Sequence, residues 1–346
     1  HHLFLPRARH ALSALWQKAN GVADERLRAM VLFAVEQTIW GMSLLNRYGP
    51  THFSQVNRFL SGVYYVGSQI SEVSPWYILD GKTRRLHKAF AGLQTRRDGT
   101  AITTQSATAL QLPPNSIDYI FTDPPFGENI YYADLNYLVE SWHGLLSNSQ
   151  PEAIIDRAKR KKLADYQELM RATFQCYFEA LKPGRWMTVE FHNSHDTVWK
   201  AIQEGLMSVG FVVADVRTLD KQQASYRQVT AASAAKQDLV ISAYKPTDDF
   251  RQRFLSYGGS AEGVWTFVRQ HLAQVPVVVS DSQGQLETIA ERQNFLLFDR
   301  MVAYHIQRGV AMPMGAAQFY AGLERSFVPR DGMYFLPDQV AAYDKA

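Results

Sequence analysis

The chain has 346 residues, 46% of them hydrophobic, and carries 36 Lys and Arg against 33 Asp and Glu for a net charge of +3. A chain this apolar can bury a sizeable core, which excludes global disorder, and its single cysteine, Cys176, excludes a disulfide framework or a cysteine-rich zinc centre. No run approaches the roughly eighteen apolar residues of a membrane span and no secretory signal is visible, so the sequence reads as cytoplasmic with no membrane partner, while its slight positive excess permits a nucleic-acid partner without demanding one.

The first residues are His1 and His2 with no Met, as at a trimmed tag or a cut inside a longer protein. Residues 6–48 read as helix. Leu12, Leu15, Trp16 and Ala19 share one face. The run from Glu25 to Leu45 is apolar on more than one side, which predicts a largely buried helix. Residues 51–99 form an irregular connecting region, with an extended piece at Gly62–Gly67. A short basic helix follows over 82–92, carrying Lys82, Arg84, Arg85 and Lys88 as either a solvated face or a phosphate-contacting patch.

Residues 100–246 alternate short apolar strands with helices, the pattern of an α/β layer domain. Strands are predicted at 101–104, 117–122, 186–191, 211–216 and 238–244, and helices at about 135–146, over 152–180 and at 197–209. The strand at 117–122 reads as buried, apart from a structural Asp118. Leu181–Gly184 reads as a helix-to-strand turn. The last strands suggest an antiparallel edge on an otherwise parallel sheet. Residues 221–237 form a long loop of the functional kind. Residues 247–346 are mainly helical, over roughly 247–272, 285–308 and 313–323. The expected organisation is therefore a helical segment (1–50), a connecting region (51–99), the α/β region (100–246) and a helical C-terminal domain (247–346).

The chemistry concentrates at Asp123-Pro124-Pro125-Phe126, directly after the strand at 117–122. Each Pro lacks an N–H and fixes its φ, so the chain leaves the sheet in a rigid extended bend. That bend lies at the carboxyl end of a strand, where open α/β sheets place ligands. The Asp123 carboxylate and the Pro124 carbonyl both accept hydrogen bonds, and Phe126 offers a flat ring. The set suits a planar group bearing an NH2.

Residues 121–136, from Phe121 through Asp123-Pro-Pro-Phe-Gly127 to Asn136, resemble the catalytic motif of amino-directed DNA methyltransferases, and within them a group of large bacterial adenine-specific methylases found beside restriction or phage-defence genes. The resemblance extends to 105–109, 181–192 and 236–242. It implies a Rossmann-like methyltransferase sheet with helical N-terminal and C-terminal additions. It also implies transfer of a methyl group from S-adenosylmethionine (SAM) to adenine N6 of DNA. Asp123 and the Pro124 carbonyl would accept the amine hydrogens, Phe126 would stack on a base turned out of the duplex, and Pro125 would shape the backbone. Ser106, Thr122, Asp123 and Gly127 would lie at the cofactor. Asn129, Tyr131, Tyr132, His192, Tyr226 and Arg227 would contact substrate.

The chain departs from the family in one respect: no compact Gly-rich turn for SAM precedes residue 100, and the sheet is then incomplete. The simplest expectation is the later portion of a larger methylase, with restriction or defence proteins as further partners. Cytosine N4 presents the same exocyclic amine and is the close alternative. RNA or a protein amide is a further substrate class, and a catalytically silent DNA-binding or assembly fragment is the non-enzyme reading. Glu190, His192, Asn193 and His195 crowd one strand end as a site rim, and no metal is expected.

Overall fold

The structure, a computed structural model, describes residues 2–51, 53–56, 64, 66–92, 99–128, 130–191, 196–219, 238–280 and 283–346. Asn129, His192, Tyr226, Arg227, half of the piece at Gly62–Gly67 and the loop of 221–237 lie outside the described residues. Two compact units are present, His1–Thr103 with Tyr131–Glu152, and Thr104–Ile130 with Ala153–Ala346.

The first unit holds helices α1 (Pro6–Asn20), α2 (Glu25–Glu36), α3 (Ile39–Met42), α4 (Pro75–Ala91) and α5 (Tyr132–His143), with an antiparallel pair β1 (Asn46–Gly49) and β2 (Phe53–Val56). The helical reading of 6–48, with its second run from Glu25, meets three helices and ends at Met42, for local reasons. Asp24 caps α2 by accepting from the Leu27 N–H at 2.7 Å, which fixes a new helix start. Asn46 is buried, and its side-chain amide donates to the carbonyls of Gly41 and Ser71 at 2.8 and 3.0 Å. Those bonds turn the chain out of the helix and into β1. The core gathers Leu12, Ile39, Trp40, Met42 and Leu138. The expectation of a largely buried second helix is corrected: Val35 is the buried residue of α2, and Leu27, Met30 and Phe33 are exposed. Hydropathy marks what a helix could bury, whereas only the side that meets a neighbour is covered.

The second unit is α/β with a mixed sheet. Strands β3 (Ile117–Thr122), β4 (Leu181–Phe191), β5 (Val212–Leu219) and β6 (Asp238–Tyr244) stand in the order β3-β4-β6-β5. β3 runs parallel to β4, and β6 is antiparallel to both β4 and β5. The antiparallel strand is therefore inside the described sheet and not at its edge. Helices α6 (Leu163–Ala180) and α7 (Asp196–Val209) cover one face, with Tyr166, Phe174, Ile202 and Leu206 fully buried. The other face meets the C-terminal helices α8 (Asp248–Ser256), α9 (Ala261–Gln274), α10 (Asn294–Gln307) and α11 (Ala316–Ser326) through Phe254, Phe267, Leu297 and Phe319. Each such side chain contributes about 1.5–3 kcal/mol by leaving water. A hairpin, β7 (Val328–Arg330) and β8 (Met333–Phe335), and a short α12 (Val340–Asp344) close the chain.

Three details set the sheet's geometry. Leu181–Gly184 opens β4 instead of preceding it. Gly184, at φ +73°, lets the strand bulge, so that Ile117 pairs with Leu181 and Tyr119 with Trp186. The Lys245 ammonium, just beyond β6, donates to Asn115 Oδ1 and to the Phe178 and Leu181 carbonyls at 2.7–2.8 Å. It ties the turn before β3 to the α6–β4 junction. In β5 the register slips between Val213 and Asp215, which oppose Ala243 and Ser242. Ala214 is the extra residue. Val213 and Val216 pack on the α6–α7 side, while Ala214, Asp215 and Arg217 line a cavity of about 260 Å³ with Trp186, Ser242 and Glu291.

Two strand expectations are corrected. Residues 101–104 form no strand, and Ile102 is 93% exposed. β3 is not buried: Ile120 packs on the α6–α7 layer, but Tyr119 and Phe121 are 54% and 61% exposed. Among the described strands β3 pairs with β4 alone and so stands at the sheet's edge, and no helix among the described residues buries the rings on its other face.

Candidate active site

β3 delivers Asp123 to the carboxyl end of the sheet, and the two prolines carry the chain away from it. Asp123 is exposed, Pro124 is buried, and Pro125 and Phe126 are half-buried. The bend is anchored from outside its own sequence. The Tyr166 hydroxyl, on α6, donates to the Pro125 carbonyl at 2.7 Å. Burial pushes the Tyr166 phenol well above its ordinary range, so it remains a donor across the whole working pH range. The Ile155 N–H donates to the Gly127 carbonyl at 3.2 Å, and Gly127 bridges Ile154 in parallel fashion. Gly127 sits at φ +84°, a conformation that side-chain-bearing residues adopt at a cost. It therefore allows the reversal that follows the prolines.

Phe126 stands edge-on to Phe191 of β4 with ring centroids 5.7 Å apart. The ring is thus seated on the apolar layer of α6 and α7 and is less open than a free-standing stacking platform. Thr122, half-buried, has its hydroxyl 3.5 Å from that of Tyr177. Ser106 lies in an exposed turn, sharing a hydrogen bond with the Thr108 hydroxyl at 2.8 Å. Asp118 is exposed and ion-paired, with both carboxylate oxygens 2.8 Å from Lys182 Nζ and one 3.6 Å from Arg185. The Lys182 hydrogen bond, with Coulombic help from Lys182 and Arg185, holds its carboxyl below the ordinary value.

Thr122, Asp123, Pro124, Pro125, Phe126 and Gly127 are thus brought together in the second unit. Tyr131 and Tyr132 belong to the first, at the start of α5. There the Ala133 N–H donates to Glu152 at 3.0 Å, and the Tyr64 hydroxyl accepts from the Leu138 N–H at 3.1 Å and donates to the Asp134 carbonyl. Of the strand-end group, Glu190 is half-buried on β4, and His192, Asn193 and His195 lie outside the described residues. Among the described residues no group of three His, Cys, Asp or Glu could hold a metal ion, and no helix is long and apolar enough to cross a membrane. The residues that sequence reasoning missed are Tyr166 and Ile155. The apolar spacing of Tyr166, Met170, Phe174 and Phe178 marked an inward helix face, but nothing in it named the carbonyl that Tyr166 reaches.

No protein-family model matches the chain, and no curated protein matches it. Among solved structures, part of the chain superposes on a SAM-dependent methyltransferase from Methanosarcina mazei at TM-score 0.27 and 14% identity, over 47% of this chain and 77% of that one. A candidate DNA modification methylase from Thermus thermophilus gives 0.25 and 13%, over 43% and 58%. The cyclase SpnF gives 0.24 and 12%, over 42% and 56%, so the chain spans little more than half the length of these last two.

Proposed function

We propose that this chain carries the methyl-acceptor half of a SAM-dependent DNA methyltransferase acting on the exocyclic N6 amine of adenine. The observation that carries the proposal is the anchored bend: an exposed carboxylate at the end of β3, followed by two prolines, with Pro125 held by Tyr166 and Gly127 by Ile155. An aromatic amine is a poor nucleophile because its lone pair is delocalised into the ring. Asp123 and the Pro124 carbonyl, both acceptors, draw on its two N–H groups and favour the pyramidal nitrogen that can attack. Acceptors fixed where positive charge develops need no reorganisation during the reaction. Phe126 borders the space for the base and is held by Phe191.

The residues present fit the amine and fit the cofactor less well. Thr122 and Gly127 adjoin the bend, but Ser106 is occupied in its own turn with Thr108. SAM, when bound, supplies the electrophilic methyl group. No step beyond amine positioning is assigned to this chain. The place of β3 at the edge of the described sheet supports a sheet able to extend toward a Rossmann-like form.

The test is methyl transfer from labelled SAM to unmethylated duplex DNA, with the product nucleosides separated. Label in N6-methyladenine that disappears in Asp123→Ala supports the reading. Label in N4-methylcytosine shifts the substrate to cytosine. Calorimetry showing no SAM binding, together with no transfer, favours the silent DNA-binding or assembly fragment.

A further inference from the structure

We infer that the outward face of α4 is a docking surface for the phosphate backbone of duplex DNA. The inference deepens the proposed function and rests on DNA being the substrate. None of the 17 residues of α4 is buried. Ile78 and Leu79 pack on the first unit's core, and Lys82 and Leu86 are half-buried at the spacing that continues the same stripe. The opposite side carries Tyr77, Arg84 and Lys88, which share one stripe at seven- and four-residue steps, with Arg85 beside them.

Four cations on α4 face one carboxylate, Asp80, so the excess of positive charge on this helix equals that of the entire chain. The charge is gathered where the resemblance to a DNA enzyme does not reach. Asp80 pairs with Arg84 at 3.0 Å, both being largely exposed, and such a pair contributes little to stability. A phosphate can therefore displace it cheaply. A helix made only to meet water has no use for exposed indole and phenol rings. Here Trp76 and Tyr77 are 66% and 77% exposed. Rings beside Arg and Lys suit sugar and base edges flanking a neutralised phosphate. The excess of cations calls for a polyanion, and under the proposed function that polyanion is duplex DNA.

The experiment is fluorescence anisotropy of the whole chain with a labelled duplex of about twenty base pairs, at several salt concentrations. Arg84→Gln, Arg85→Gln and Lys88→Gln combined should weaken binding at low salt at least tenfold. Three lost phosphate contacts should also shrink the slope of log affinity against log salt by about 2.7. The Lys-for-Arg versions should keep most of the affinity, and Asp80→Asn should strengthen binding. All the altered side chains are exposed, and an unchanged circular dichroism spectrum confirms the fold. The inference is overturned if the Gln variant keeps the native slope, if the native chain fails to bind the duplex, or if an RNA duplex of the same sequence binds more tightly. Methyl transfer is scored separately. Transfer with native affinity in the Gln variant sinks the surface alone, and DNA binding that depends on α4 without transfer sinks only the catalytic reading.

Discussion

The bend at Asp123 and the charged cluster in the C-terminal layer solve opposite problems within one unit. Glu291 is 3% exposed and accepts from Arg300 at 2.6 and 3.0 Å, with His271 Nε2 at 3.5 Å. Its neighbour Arg292 is fully enclosed. It donates to the carbonyls of Leu272, Val275, Pro276 and Tyr334 and to Gln339 Oε1 at 2.8–3.1 Å, and lies over the Phe335 ring. Burial pulls the Arg292 guanidinium down to about 10. Its donors are committed to holding α9, the turn at Ala290–Arg292 and β8 together. Asp123 is exposed on a backbone that is itself held rigid. A buried charge with a full set of partners maintains the fold; an exposed carboxylate on a pinned backbone is open to test as a ligand contact.

The sharpest way to break this contrast is Asp123→Ala. Methyl transfer should fall about 10³-fold, on the scale of losing one fixed group at a reacting centre, while the melting temperature stays within about a degree. A variant that melts early instead would make Asp123 structural.

Arg292→Met tests the opposite pole. Removing the cation orphans at least four carbonyls and should cost about 3–5 kcal/mol in urea unfolding, with any surviving folded protein still binding DNA. A loss below about 1 kcal/mol would show that the layer holds together without it.

Acid sharpens the comparison further. Burial holds His271 below its ordinary value, so the native ring stays neutral. Unfolded, it takes up a proton below about pH 6.5, so stability should decline as pH falls through that range toward the depressed native value. The slope has a ceiling of about 1.4 kcal/mol per pH unit for one proton. Glu291 follows at lower pH. Burial alone would raise it, but the nearby His271 ring and the Arg300 hydrogen bonds override burial and hold it below its ordinary value. Its contribution is present above the unfolded carboxyl's pKa and is lost as pH falls through the native one. Calorimetry from about pH 8 to 2 reads both losses, and His271→Gln should remove the upper one.

The smallest effect belongs to Tyr166→Phe, which deletes one donor to the Pro125 carbonyl. About 1 kcal/mol of stability should go, with kcat reduced more than KM because the acceptors lose their fixed position.

The legible part of this molecule was local. The run Ile117–Thr122 followed by Asp-Pro-Pro-Phe announced a strand and a rigid exit, and β6 lies at 238–244 as its apolar run suggested. What the sequence concealed depends on partners remote along the chain. The exposure of Tyr119 and Phe121 depends on which strand stands beside β3. The hold on Pro125 comes from a tyrosine 41 positions later. The early exit from the helices at Asn46 comes from side-chain bonds that hydropathy does not weigh. Residues 101–104 have the composition of a strand but acquire no neighbour to pair with.

The slip at Ala214 fixes the parity of everything downstream in β5. Were the ladder unbroken, with Ala214 opposite Ser242, Asp215 would fall opposite Ile241 and swing its carboxylate into the greasy layer beneath α6 and α7, and Val216 would be thrust out toward the polar cavity. Deleting Ala214 would leave Asp215 and Val216 on their present faces, because Val213 and Asp215 already oppose the consecutive Ala243 and Ser242; the ladder swallows one surplus residue and so keeps an acid out of the greasy layer.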